Sequence, residues 1–108
     1  MKRFSLFALV VLFPVMSSAT DHVVTQKNKT FSQTSIDVNV GDKIVFKNDE
    51  TDITHNVYSL TDGNTFELKT QAPGSTSTVE IDTAKHKPGV MEVECAIHPN
   101  MKLKVNIH

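Results

Sequence analysis

Beyond residue 20, apolar side chains recur at every second position, and this period of two excludes most folds. Ile36, Val38 and Val40 alternate with Ser35, Asp37 and Asn39. Ile44 and Phe46 follow between Lys43 and Lys47, and His55 shares a parity with Val57. Val79 and Ile81 alternate with Thr76, Thr78 and Glu80 nearby. Met91, Val93 and Cys95 face one way, Glu92 and Glu94 the other. Met101, Leu103, Val105 and Ile107 repeat the pattern against Lys102, Lys104 and Asn106. Such alternation is the mark of half-buried strands. No stretch repeats at 3.6. Gly41-Asp42 and Pro88-Gly89 punctuate the runs as turns. Several short strands with turns between them predict an all-β sandwich of about seven to eight strands. Val23 to Thr25 is expected as an edge strand. Asp49 to Thr54, Leu60 to Thr65 and Gln71 to Ser75 are expected as loops, and Asp82 to Lys87 as a loop or one short helical turn.

The first 19 residues stand apart from this pattern. Lys2 and Arg3 precede the apolar run Phe4 to Met16, and Ser17-Ser18-Ala19 offers small residues for a peptidase. That is the build of a secretory leader. The apolar run falls short of the ~20 residues a spanning helix needs. The expected organisation is a leader over 1–19 and one domain over 20–108, exported to the periplasm and monomeric, with no membrane segment after cleavage. Loss of Lys2 and Arg3 makes a chain of net charge −1 more acidic. No basic patch remains, so nucleic acid is excluded as a partner class.

A domain this small has a marginal core. Exported domains of this size usually add disulfides. This chain has one cysteine and can form no internal bridge. A lone thiol in an oxidising compartment calls for an occupant. A metal would both occupy it and staple the fold.

The segment Cys95-Ala96-Ile97-His98-Pro99-Asn100-Met101 lies between two expected strands. Cys95 ends one on its core face, Met101 begins the next on its core face, and His98 sits between. His55 lies upstream in Thr54-His55-Asn56-Val57. A thiolate, two imidazoles and a weak thioether suit an ion cycling between Cu(I) and Cu(II). Zinc accepts Cys and His, but Met is not among its usual ligands. Glu92 and Glu94 are turned outward by parity. A binuclear copper site of the oxidase type needs a second cysteine. A catalytic Cys/His pair needs an open position and an orienting group, whereas this cluster reads as closed, so no enzyme activity is expected.

On these residues the chain resembles the cupredoxin (blue copper) family over nearly all of residues 20–108. The spacing Cys95-x-x-His98-x-x-Met101, with Pro99 directly after the histidine, is similar to the amicyanin and bacterial plastocyanin-like branch. So are Gly89 and the run Gly41-Asp42-Lys43-Ile44-Val45-Phe46-Lys47-Asn48 ahead of His55-Asn56. The chain departs from that branch at Ile97, where a proline is usual, and at Met91 and Val93, where aromatics are usual. The resemblance implies a Greek-key sandwich with one copper near one end. His55 and His98 would bind it through ring nitrogen, Cys95 through thiolate and Met101 as the axial thioether. Asn56 would tie the two ligand segments and offer its backbone N–H to the Cys95 sulfur. Pro99, lacking an N–H, would add no such bond and would stiffen the turn.

The resemblance further implies a shuttle of single electrons, leaving by the exposed edge of His98. That edge would be ringed by Ala96, Ile97 and Pro99, with Leu60 and Pro73 as further candidates. The acidic balance suits a partner with a basic face, such as a c-type cytochrome. The loop makes a quinoprotein dehydrogenase a candidate donor by analogy. A periplasmic copper carrier or buffer is the alternative reading. Cleavage after Ala19 would also create an amino terminus Thr20-Asp21-His22. An amine, two amides and a histidine at position three can wrap Cu(II) or Ni(II) in a square plane. His86 and His108 have no matching partners and are expected at the surface.

Overall fold

Nine strands form among the residues described by the computed structural model, 19–108; residues 1–18 of the expected leader lie outside the described residues. They are β1 (Asp21–Lys27), β2 (Thr30–Phe31), β3 (Ser35–Val38), β4 (Lys43–Asn48), β5 (His55–Thr61), β6 (Asn64–Gln71), β7 (Thr76–Glu80), β8 (Gly89–Cys95) and β9 (Lys102–Ile107). One sheet has the order β2-β1-β4-β7, the other β3-β9-β8-β5-β6. Two pairs are parallel: β1 with β4, matching Val24 to Phe46, and β3 with β9, matching Ile36 to Val105. The chain changes sheet between β2 and β3, β3 and β4, β4 and β5, β6 and β7, and β7 and β8. This is an all-β sandwich, as the alternation predicts.

The core is the inward half of that alternation. Ile44 and Phe46 of β4, Met91 and Val93 of β8, Val57 of β5 and Val105 of β9 have no solvent exposure. Burying each large apolar side chain contributes about 1.5–3 kcal/mol. Phe46 lies between Phe31 and Phe66, with ring centroids 6.2 and 6.0 Å away. It therefore joins β2, β4 and β6 across the two layers.

Several local expectations need correction. The count reaches nine because β2, with two residues, is too short to show a period. It forms a hairpin with β1 through Asn28 and Lys29, both at positive φ (55° and 60°). That two-residue geometry matches the right-handed twist of the flanking strands. β1 is consequently an inner strand at Gln26, while Val23 and Val24 pair with β4 alone. The segment Leu60 to Thr65 is not a loop: Leu60 pairs with Thr65 and Thr61 with Asn64. Only Asp62-Gly63 turns, with Gly63 at φ 80°. Finally, His86 is buried rather than exposed. Its Nδ1 accepts the Asp82 N–H at 3.1 Å and its Nε2–H donates to the Thr65 carbonyl at 3.0 Å. The ring thus fastens the β7–β8 connection to β6. His108 is exposed, as expected, beside Asp37.

β4 ends at Asn48, β5 begins at His55, β8 ends at Cys95 and β9 begins at Lys102. Two connections, 49–54 and 96–101, therefore emerge near each other at one pole of the sandwich.

Candidate metal centre

Strand pairing brings the two histidine-bearing segments together. Val57 of β5 lies opposite Cys95 of β8. His55 is two residues before Val57 and so shares its inward face. His55 Nδ1 and His98 Nδ1 each lie 3.7 Å from Cys95 Sγ. The three ligand atoms fall within 4.8 Å of one another. Bonds of about 2.0 Å to nitrogen and about 2.3 Å to sulfur, meeting near 120°, would hold N and S about 3.7 Å apart. The spacing thus fits a common ion with the three donors around it. Met101 is 1 % exposed, and its N–H donates to the His98 carbonyl at 2.9 Å, closing the ligand loop. The Cys95 thiolate, the His98 imidazole and the Met101 thioether, with the His55 imidazole from the start of β5, are the arrangement of a type 1 copper site.

Neighbouring groups orient these donors. Glu50 is a residue that sequence reasoning missed. Its Oε2 accepts the His55 Nε2–H at 3.0 Å and the Lys29 N–H at 2.9 Å, while Oε1 accepts the Asn28 N–H at 3.1 Å. Because Nε2 carries the hydrogen, Nδ1 presents its lone pair toward Cys95. Burial opposes the Glu50 charge. The Lys29 N–H, His55 and the Asn28 N–H outweigh it and hold the carboxyl below its ordinary value. Asn48 shapes the connection that carries both residues. Its Oδ1 accepts the Glu50 N–H at 3.1 Å, and its Nδ2 donates to the carbonyls of Ile53 (2.9 Å) and Gln71 (3.0 Å).

The Asn56 N–H lies 3.4 Å from Cys95 Sγ, and the Asn56 carbonyl accepts the Ala96 N–H at 2.9 Å. The link between the two segments is therefore made by the Asn56 backbone; its side-chain Oδ1 is buried without a hydrogen-bond partner. Pro99 is exposed beside His98. His98 is the only partly exposed member of the donor set, since His55, Cys95 and Met101 are at most 1 % exposed. Burial, then the neighbouring His55, hold the His98 ring below the ordinary histidine value. A ligand nitrogen must be unprotonated, so this shift keeps it available.

The remaining expected positions divide between the two poles. Leu60, proposed for the rim of His98, sits at the far turn of β5, where it pairs with Thr65. Pro73 lies on the β6–β7 connection, whose Gly74 N–H donates to the Asn48 carbonyl, at the site's own pole. Thr20, Asp21 and His22 lie beside the start of β4, the opposite pole. Asp21 and His22 pair with Lys43 and Ile44, and the nitrogens of Thr20 and His22 are engaged by Asp42.

Fold and donors together define a β-sandwich with one soft nitrogen-and-sulfur metal centre at its end. Residues 19–108 match the family described as copper binding proteins, plastocyanin/azurin family, and the chain belongs to it. No curated protein matches it by sequence. Solved structures share its fold at low identity. An amicyanin variant in the Cu(I) state is 18% identical, with TM-score 0.69 and 81% of each chain covered. A purple cupredoxin from Nitrosopumilus maritimus is 17% identical, with TM-score 0.66, covering 81% of this chain and 99% of that one. The Cu-containing nitrite reductase from Thermus scotoductus SA-01 is 20% identical, with TM-score 0.70. The alignment covers 81% of this chain, which spans only 22% of that enzyme's length.

Proposed function

We propose that this protein is a periplasmic electron carrier and not an enzyme, exchanging single electrons with redox proteins at the His98 edge. The observation that carries this reading is the uneven burial of the donor set. His55, Cys95 and Met101 are closed off, while His98 alone reaches the surface, among exposed Ala96, Ile97 and Pro99. An electron needs only that edge. Handing a metal ion to another protein needs donors that an incoming ligand can displace, and three of the four are sealed. Copper held by such a donor set supplies a one-electron couple. The chain's own part is to keep the donors fixed. Glu50 locks the His55 ring, the Asn56 N–H faces the Cys95 sulfur, and the Met101 N–H holds the loop to His98. Fixed donors limit rearrangement when charge changes.

The apolar rim suits brief contact over a small area. The acidic chain favours partners with a basic face, such as a c-type cytochrome, with a quinoprotein dehydrogenase as a candidate donor. Export follows from the leader pattern of residues 1–19. The experiment is aerobic loading with Cu(II), a metal count, an optical spectrum and voltammetry. One copper per chain, intense visible absorption and repeated reversible cycling are expected. Rapid loss of Cu(I) to a copper acceptor during cycling would overturn this reading in favour of a copper carrier.

A further inference from the structure

At the pole opposite the metal centre, Asp42 is only 4% exposed, and both of its carboxylate oxygens accept hydrogen bonds from the start of the domain. Oδ1 accepts the Thr20 N–H at 3.0 Å. Oδ2 accepts the His22 Nε2–H at 2.9 Å and the Asn39 N–H at 2.9 Å. Its backbone is tied as well: the Asp42 carbonyl accepts the Ile81 N–H and the Asp42 N–H donates to Asn39. A carboxylate so enclosed needs strong donors or an opposite charge to offset its lost hydration. The atom facing Oδ1 is the nitrogen of Thr20, the one that peptidase action after Ala19 would free. The small-residue pattern at 17–19 and the carboxylate position are independent observations, and they converge on one atom.

We propose that cleavage after Ala19 converts the Thr20 nitrogen into an α-ammonium that forms an ion pair with Asp42, clasping the mature amino terminus to the β3–β4 turn. The proposal rests on the leader reading given above. Hydrolysis by a leader peptidase adds one water across the Ala19–Thr20 amide. The leader keeps the carboxylate, and the proton it sheds ends on the new amine. The neutral amide donor facing the Asp42 carboxylate thus becomes a cationic one, and the hydrogen bond becomes an ion pair. β1 gains an anchor where its parallel pairing with β4 begins, at Asp21 with Lys43. The clasp also governs the other use of Thr20-Asp21-His22. A square-planar wrap of Cu(II) or Ni(II) needs the Thr20 amine and the His22 ring, both of which Asp42 holds. The clasp and the wrap exclude each other, and the folded domain keeps the clasp.

The test uses copper-loaded protein exported with its own leader. Intact mass should place the terminus at Thr20. Acylation of the α-amine at neutral pH should be at least about tenfold slower than in Asp42→Asn, the ratio that one unit of amine pKa produces. Where Asp42→Asn does not fold, a chain carrying one extra alanine before Thr20 serves instead. Its amine lies outside the clasp and should react at the rate of an exposed amine. A terminus elsewhere, equal acylation rates, or uptake of one Ni(II) by the copper-loaded wild type overturns the proposal. The visible spectrum, recorded on the same samples, reports separately on the electron-carrier reading.

Discussion

Glu50 accepts the Nε2–H of His55 at 3.0 Å and, through the same carboxylate, the backbone N–H groups of Asn28 and Lys29. One side chain thereby fixes a ligand ring and anchors the β1–β2 turn. Partners of this kind raise ligand basicity and hold ring orientation, and their loss typically weakens metal binding about 10–100-fold. Glu50→Gln keeps an acceptor but removes the charge and one oxygen. Copper affinity should fall within that range in a competition titration. The potential should rise, because a less basic His55 stabilises Cu(II) less. An unchanged affinity and potential would reduce Glu50 to a loop anchor.

Cys95 is 1 % exposed, with both histidine Nδ1 atoms 3.7 Å from its sulfur. Sulfur-to-copper charge transfer is the source of the expected intense visible band. Cys95→Ser substitutes a harder oxygen donor, and the band should vanish while the apo fold survives. Met101→Gln should retain copper at a lower potential, since an oxygen donor favours Cu(II) over Cu(I). Optical spectra and voltammetry of the two variants separate the roles, and persistence of the band in Cys95→Ser would assign the thiolate role elsewhere.

Three of the four donors were readable because their geometry is local. Cys95, His98 and Met101 share one loop, and strand parity alone turns Cys95, Met101 and His55 inward. The alternation likewise carried the sandwich and most strands. Glu50 was not readable. It sits in a connection without a period, and its backbone partners Asn28 and Lys29 are brought near only by the pairing of β1 with β4. His86 was misread for a similar reason. Its burial depends on Thr65, which belongs to a strand where a loop was expected, so one misjudged turn hid both β6 and the ring packed against it. β2 has too few residues to show any pattern.

Asp42 makes the apo fold sensitive to acid. Burial raises its carboxyl, but the N–H groups of Asn39 and Thr20 and the His22 ring more than compensate, and the net shift lies below the ordinary value of 3.8. The unfolded chain therefore binds the proton more readily than the folded one, and stability rises with pH across this window. The contribution is complete above the unfolded value and is lost as pH falls through the lower folded value. Denaturation of apo protein should show this decline setting in as pH approaches 3.8 from above and deepening below it. Asp42→Asn should flatten its acidic end while lowering stability at neutral pH. An equally steep acidic limb in the variant would assign it to other carboxylates.

Phe46 has no solvent exposure and touches aromatic rings on both sides. Phe46→Ala removes that ring from a domain whose layers it joins, at a cost of about 3–5 kcal/mol. The domain is small and its margin narrow. Apo Phe46→Ala should be largely unfolded at room temperature by circular dichroism. Copper binds the folded state, so loading should recover part of the loss by mass action. A melting temperature unchanged in the apo variant would show that Phe31 and Phe66 close over the gap.

Ile97 separates docking from metal chemistry. It is 50% exposed on the ligand loop, between Ala96 and His98. A carboxylate there leaves the four donors and their supporting hydrogen bonds in place but interrupts the apolar rim around His98. Ile97→Glu should therefore keep the visible spectrum and shift the potential little. Electron exchange with an apolar-faced partner should slow, because the new charge must lose its water on contact. With a strongly basic partner the same substitution should raise the encounter rate at low salt, and added salt should erase the gain. Stopped-flow mixing with a c-type cytochrome across a salt series distinguishes the two effects. Rates insensitive to Ile97→Glu at every salt concentration would place the electron's exit on another face.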